Sequence, residues 1–195
     1  MTTPKIGIIG TGAIAGYYGL MLQRAGQDVR FLARGGYQQL QLDGMTIHSD
    51  SLGTLQHKIR VCQDIEALSD CDWLLVTAKT TANAAMGELL SRLPNSSANV
   101  VLLQNGLSNE DEMRQLIPPS MSLFAGLCFI FARRTATGHI QHQGGGSINI
   151  GYHSGAASRE QGVEQAGLLI KLFNAAGVKS QYVDVFQARW QKLVW

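Results

Sequence analysis

Apolar residues in this chain come in short unbroken runs rather than in alternation with polar ones. "KIGIIG" (5–10), "DVRFLA" (28–33), "DWLLVTAK" (72–79) and "ANVVLLQNG" (98–106) each read as a strand buried on both faces, as in a parallel sheet. Between them the period changes. Residues 13–25 and 81–92 read as helices, the first stopped by Gly26. After Asn105-Gly106, Ser108 is expected to cap a helix whose first turn is Glu110-Asp111-Glu112. "GMTIHSDSLGTLQHKIRVC" (44–62) reads as a hairpin inserted after the second α/β unit. "SLFAGLCFIFARR" (122–134) is β-like, and "GHIQHQGGGSINIGY" (138–152) reads as strands around a Gly-rich turn. Ser158 with Gln161 resembles a capping box, opening a helix that places Val163, Ala166, Leu169, Ile170 and Phe173 on one face. "VKSQYV" (178–183) is a short last strand, and Asp184 with Gln187 starts a final helix. Strands alternating with helices predict an α/β fold: a doubly wound, mostly parallel sheet with helices on both faces.

Composition narrows the function. The chain has 195 residues, 45% hydrophobic, enough for a domain with a core of its own. A net charge of +2 without any basic run argues for no nucleic acid and no membrane surface as partner. No apolar run is long enough to span a bilayer, and "MTTPK" leads straight into the first strand without a secretory signal. Cys62, Cys71 and Cys128 form no C-x-x-C pair, so neither a disulfide framework nor a zinc site is expected, and a reducing, cytoplasmic setting is the default. His48, His57, His139, His142 and His153 show no metal-ligand spacing; His139 and His142 read as structural or surface residues.

The chemistry starts at the first strand–helix junction. Gly10, Gly12 and Ala15 fit G-x-G-x-x-[G/A]. Gly10 permits a tight turn, Gly12 lets a pyrophosphate approach the backbone, and Ala15 lets the helix lie close to the sheet. The helix start then offers unpaired N–H groups and a positive dipole end. With a second strand at the expected distance, this is a dinucleotide-binding unit. Where an NAD-selective fold carries an acid after that second strand, this chain has Ala33 and then Arg34. Arg34 presents a fork suited to a 2′-phosphate, which favours NADP(H).

Lys79 and Asn105 each follow an apolar strand, where ligands of open α/β sheets sit; the alternatives are a solvated lysine and a turn asparagine. The pair Arg133-Arg134 could bind an anion, though a solvated strand end is the simpler expectation. In the final helix, Trp190, Leu193 and Val194 offer an apolar face beside Lys192, whose charge could be tuned to make it a general acid, though on spacing alone an ordinary surface lysine is the simpler expectation.

In order and spacing, "IGIIGTGAIAG", "FLARGG", "LLVTAK", "LLQNGL", "FARR", "GHIQHQGGG" and "WQKLVW" resemble the ketopantoate reductases (2-dehydropantoate 2-reductases) over nearly the whole chain. The resemblance implies an N-terminal Rossmann domain, a C-terminal helical domain and an active site between them. It implies NADPH-dependent reduction of a 2-oxo acid, ketopantoate to pantoate, on the route to pantothenate and coenzyme A. Gly10, Thr11, Gly12, Ala13, Ile14 and Ala15 would hold the pyrophosphate and Arg34 the 2′-phosphate. Lys79 and Asn105 match positions near the nicotinamide end, Ala132 a position lying against the cofactor, and Lys192 the proton-donating lysine of a K-L-x-x-N motif. That motif's Asn would follow Trp195. Residues 1–182 would then be the NADP-binding domain and 183–195 the start of a helical substrate domain otherwise missing, so this chain is expected to bind NADPH without turnover. A related dehydrogenase of another hydroxy acid, or a non-catalytic NADP-binding domain, remain the alternatives. A homodimer is left open.

Overall fold

The computed structural model describes residues 3–93 and 97–194; Trp195, the last residue of the quoted C-terminal motif, lies outside them. Strand β1 (Lys5–Ile9) leads into helix α1 (Ala13–Arg24) and strand β2 (Asp28–Leu32). A short helix α2 (Tyr37–Asp43) follows, then β3 (Met45–Ser49), β4 (Gly53–His57) and β5 (Arg60–Cys62). Next come β6 (Trp73–Val76), α3 (Asn83–Ser91), β7 (Asn99–Leu102) and α4 (Asn109–Leu116). Two long strands, β8 (Ser122–Ala136) and β9 (His139–Ser154), precede α5 (Arg159–Ala175), β10 (Ser180–Tyr182) and α6 (Val185–Val194).

One sheet runs β4-β3-β9-β8-β7-β6-β1-β2-β5, with β10 also on β9. Within it, β5-β2-β1-β6-β7-β8 are all parallel. Numbered by appearance, those six are ordered 3-2-1-4-5-6, which places the switch point between β1 and β6. The unbroken apolar runs are explained by two cores, one on each sheet face. Ile6 and Ile8 join Trp73, Leu75 and Val101 in the core that includes α1 and α5 residues, whereas Ile9, Leu74, Val76, Val100 and Leu102 join the core of α3 and α4.

Several local expectations change in the folded chain. The hairpin is real but ends at His57; Arg60–Cys62 returns to pair with β2 as the third parallel strand. Helix α2 was not foreseen, because Leu40 is its one fully buried side chain and leaves no period to read. Ser108 sits at the start of α4 but adopts a left-handed backbone (φ 58°), and its side chain makes no capping bond. An N-cap side chain reaches the amides from an extended backbone, so this geometry takes it out of range. Gly144–Gly146 do not turn the chain. The turn is at Gly138, and the glycines lie inside β9 where its register with β8 slips. Gly145 and Gly146 have φ of 72° and 121°, the signature of a bulge that glycine fills with least strain. On α5, Ser158 and Gln161 do form the reciprocal box, and Ala166, Leu169 and Phe173 are buried. Val163 stays exposed. His142 is buried with Nδ1 2.8 Å from Ser49 Oγ and its ring against Tyr17, a core histidine.

Candidate active site

The turn after β1 has two glycines with different causes. Gly10 has φ 122°, and a Cβ there would strike Thr77 Oγ1, so both backbone and packing demand glycine. Gly12 has φ −82°, which any residue adopts, and no atom lies within 4 Å of where its Cβ would sit. Nothing inside the protein requires glycine at 12. What its missing side chain does is keep the space over the start of α1 clear, where no side chain caps the helix. Ala13 and Ile14 form the first turn and pack partly against the core, and Ala15 is fully buried. The tight helix–sheet approach is made by the glycines that follow: a Cβ on Gly16 would strike Ile140 of β9, and one on Gly19 would overlap Ile8 and Phe31.

Beside this turn lies a cleft of about 400 Å³. Ile9, Leu32, Ala78, Met86 and Leu89 give it an apolar side; Gly10, Thr11, Arg34, Gly35, Gly36, Arg134 and Thr137 line the rest. Arg34 lines this cleft together with Gly10 and Thr11. Arg134 is exposed near the end of β8, as expected of a solvated strand end, and it also lines the same cleft.

At the sheet's other strand ends, Lys192 of α6 reaches the loop after β7. Its Nζ donates to Asn105 Oδ1 at 2.8 Å and to the Cys128 carbonyl at 2.6 Å, and sits 5.1 Å from the Phe129 ring centroid. An ammonium has three protons, so one remains for an acceptor from outside. Burial pulls the Lys192 pKa down from the ordinary lysine value; the Cys128 thiol opposes this and the Arg189 charge adds to it.

The sequence missed what holds this arrangement. Arg189, one turn before Lys192, forms an ion pair with Glu110, and the two are 5% and 3% exposed. Its Nη1 also donates to the Gln104 carbonyl at 2.5 Å. Gln104 Nε2 donates to the Ala78 carbonyl (2.9 Å) and to Asn83 Oδ1 (2.8 Å), and Asn83 Nδ2 donates to Glu112 Oε2 at 2.8 Å. A single polar chain, buried except at Glu112, thus joins α6 to the loops following β6 and β7. Glu110 and Glu112 do lie in the first turn of α4, as read, and are also the carboxylate ends of this polar chain. The i, i+3 spacing of Arg189 and Lys192 was the available signal.

The structure brings Asn105 and Lys192 into contact and sets Gly10, Thr11 and Arg34 around one cleft. Lys79 is exposed in the loop that follows β6, and its side chain has no partner among the described residues. Ala132 is half-buried on β8, opposite His142. Trp190 and Leu193 do form an apolar face, together with Phe186, but it points to solvent while Arg189 and Lys192 point inward. Among the described residues no group of three or more His, Cys, Asp or Glu could hold a metal, and no helix is long and apolar enough to cross a membrane.

Strand order, switch point and a glycine turn open at a helix start define the Rossmann class of α/β proteins. Within that class the chain belongs to the ketopantoate reductase PanE/ApbA family, a family of oxidoreductases, whose profile matches residues 6–155. It is 32% identical to a 2-dehydropantoate 2-reductase of Nostoc sp. across 100% of this chain and 61% of that protein. The crystal structure of a 2-dehydropantoate 2-reductase from Geobacter metallireducens superposes with a TM-score of 0.86 at 32% identity, over 98% of this chain and 62% of that one. A D-mandelate dehydrogenase solved with NADH shares the fold at a TM-score of 0.80 and 20% identity, over 96% of this chain and 60% of that one. The chain spans about three fifths of the length of these relatives.

Proposed function

We propose that this chain is the cofactor-binding part of an NADPH-dependent 2-oxo acid reductase, acting on 2-dehydropantoate to give pantoate in pantothenate and coenzyme A synthesis. Residues 1–182 bind NADP(H) in a cytoplasmic enzyme, and 183–195 open the helical substrate part. The observation that carries the reading is the half-buried Lys192 ammonium on Asn105, at the strand-end side of a sheet whose first turn is left open at Gly12.

The residues fit the cofactor. The Gly10 N–H is spent on the Leu32 carbonyl at 3.1 Å, but the amides from Thr11 to Ala15 at the helix start suit a pyrophosphate, the apolar side of the cleft suits an adenine, and Arg34 suits a 2′-phosphate. Lys79, Asn105 and Ala132 lie toward the nicotinamide end. NADPH, when bound, supplies a hydride to the ketone carbon. Lys192 gives a proton from Nζ to the carbonyl oxygen as it becomes an alkoxide, then recovers one from solvent. Its positive charge stabilises that oxygen before the proton moves. Asn105 and the Cys128 carbonyl fix the direction of the ammonium. A lowered pKa eases the proton's departure.

The fold alone does not choose the cofactor, since the D-mandelate dehydrogenase of the same fold was solved with NADH. Arg34 is the reason to favour NADPH. In the full-length protein, Lys192→Ala should depress kcat by about a hundredfold or more, with NADPH affinity little changed. Unchanged turnover rejects the role. The 195-residue chain by itself should bind NADPH without turnover, and reductase activity in it would contradict the domain division.

A further inference from the structure

We infer that Arg134 is a second ligand of the 2′-phosphate, so that two separate parts of the chain read that group; this rests on the NADPH reading above. Arg34 comes from the loop after β2, inside the first βαβ unit, whereas Arg134 comes from the end of β8, about a hundred residues later in sequence. The two loops are seated on each other. A Cβ on Gly36 would strike Thr137 Cγ2, and the β8–β9 turn is pinned besides to β3, whose Thr46 N–H donates to the Gly138 carbonyl at 2.7 Å. The strand end that carries Arg134 is therefore set beside the Arg34 loop by the backbone, and the exposed Arg134 side chain reaches the cleft from there.

Charge points to the ligand. The cleft has two guanidiniums and no carboxylate among its lining residues. Arg30, Arg60, Arg92, Arg159 and Arg189 all have carboxylate partners. Among the described residues Arg24, Arg34, Arg114, Arg133 and Arg134 have none; Arg114 is held by carbonyls, and of the rest only Arg34 and Arg134 line this cleft, where neither has a hydrogen bond to another group. Two like charges sharing a cleft repel, and a dianion between them removes the repulsion. A phosphate monoester carries close to two charges at neutral pH and has three acceptor oxygens, enough for two forks. The adjoining apolar side, formed by Ile9, Leu32, Ala78, Met86 and Leu89, suits the base attached to that ribose.

The test is equilibrium titration of the full-length protein with NADPH and NADH, with adenosine 2′,5′-bisphosphate as a competing probe. Arg134→Ala should weaken NADPH and the bisphosphate about tenfold and leave NADH within about twofold. Arg134→Lys should fall between, keeping charge but losing the fork. Arg133→Ala, outside the cleft lining, should change neither. Equal losses for NADPH and NADH in Arg134→Ala would overturn the inference, because an adenine contact or a fold defect acts on both. So would an unaltered NADPH affinity there beside a loss in Arg34→Ala, which leaves the parent reading standing. A wild-type protein that fails to prefer NADPH overturns both, and is seen before any variant is made.

Discussion

Replacing Arg189 with Ala strands the Glu110 carboxylate, which is 3% exposed, and frees the Gln104 carbonyl that Nη1 held at 2.5 Å. Removing one partner of a buried ion pair costs about 3–5 kcal/mol if the surroundings stay closed. They need not stay closed. Helix α6 carries the arginine paired with Glu110, and letting it lift returns water to the carboxylate while sacrificing the helix's own docking energy. The less costly response wins, so the damage should be local. The expected result is a rise of about two decades in amide exchange across residues 186–192, corresponding to about 3 kcal/mol, with amides of β1, β6 and β7 unchanged. Arg189→Met combined with Glu110→Leu should restore most of the protection, because a well-packed apolar pair replaces a desolvated ionic one. Arg92→Ala is the contrast: the Arg92–Glu66 pair is about half exposed on both sides and should be worth about 0–1 kcal/mol. Unchanged exchange in α6, or a uniform rise through the whole sheet, would refute this reasoning.

Two further outcomes follow from the site. Gly12→Ala should leave thermal stability within about 1 kcal/mol, since φ is ordinary and the space is empty, while weakening NADPH several-fold; Gly10→Ala should lose about 1–3 kcal/mol from strain and the Thr77 overlap. Comparing melting curves with cofactor titrations separates the two, and a Gly12→Ala protein that binds NADPH normally would discredit the open-turn argument. For Lys192 the folded pKa lies below the unfolded value, so between the two the unfolded chain holds more protons and stability rises with pH. Urea midpoints from about pH 8 to about pH 10.5 should climb more steeply for wild type than for Lys192→Met; parallel curves would show that folding does not penalise this charge.

The parts legible in the sequence were those whose cause is local. The first βαβ unit could be read because continuous burial on both sheet faces leaves an unbroken apolar run, and because Gly10 and Gly12 follow that run directly at a telling spacing. The Ser158–Gln161 box could be read because both partners lie within one helical turn. Gly144–Gly146 misled because positive φ serves a turn and a bulge alike, and only the pairing of β8 with β9 decides between them. Ser108 misled for the same kind of reason, its residue type fitting a cap that its backbone does not form. Lys192 and Asn105 stood out through family resemblance more than through spacing. Their support, Arg189 with Glu110, lies 79 residues apart in sequence, so the i, i+3 spacing of Arg189 and Lys192 could show a shared helix face but not the carboxylate that meets it. Arg134 was visible as a charge, but the cleft it enters exists only once the β8–β9 turn meets the loop after β2.

Helix α6 lies with its polar side against the protein and its large apolar side chains outward. Greasy surfaces tolerate many azimuths, because oily contact is nearly the same after a small roll about the helix axis. A guanidinium wedged between a carboxylate and a carbonyl tolerates one. Rolling α6 by a single position, about 100°, would swing Lys192 off Asn105 and Arg189 off Glu110 together. The helix is thus keyed like a toothed gear, and the lysine's aim is inherited from the arginine that locks the tooth.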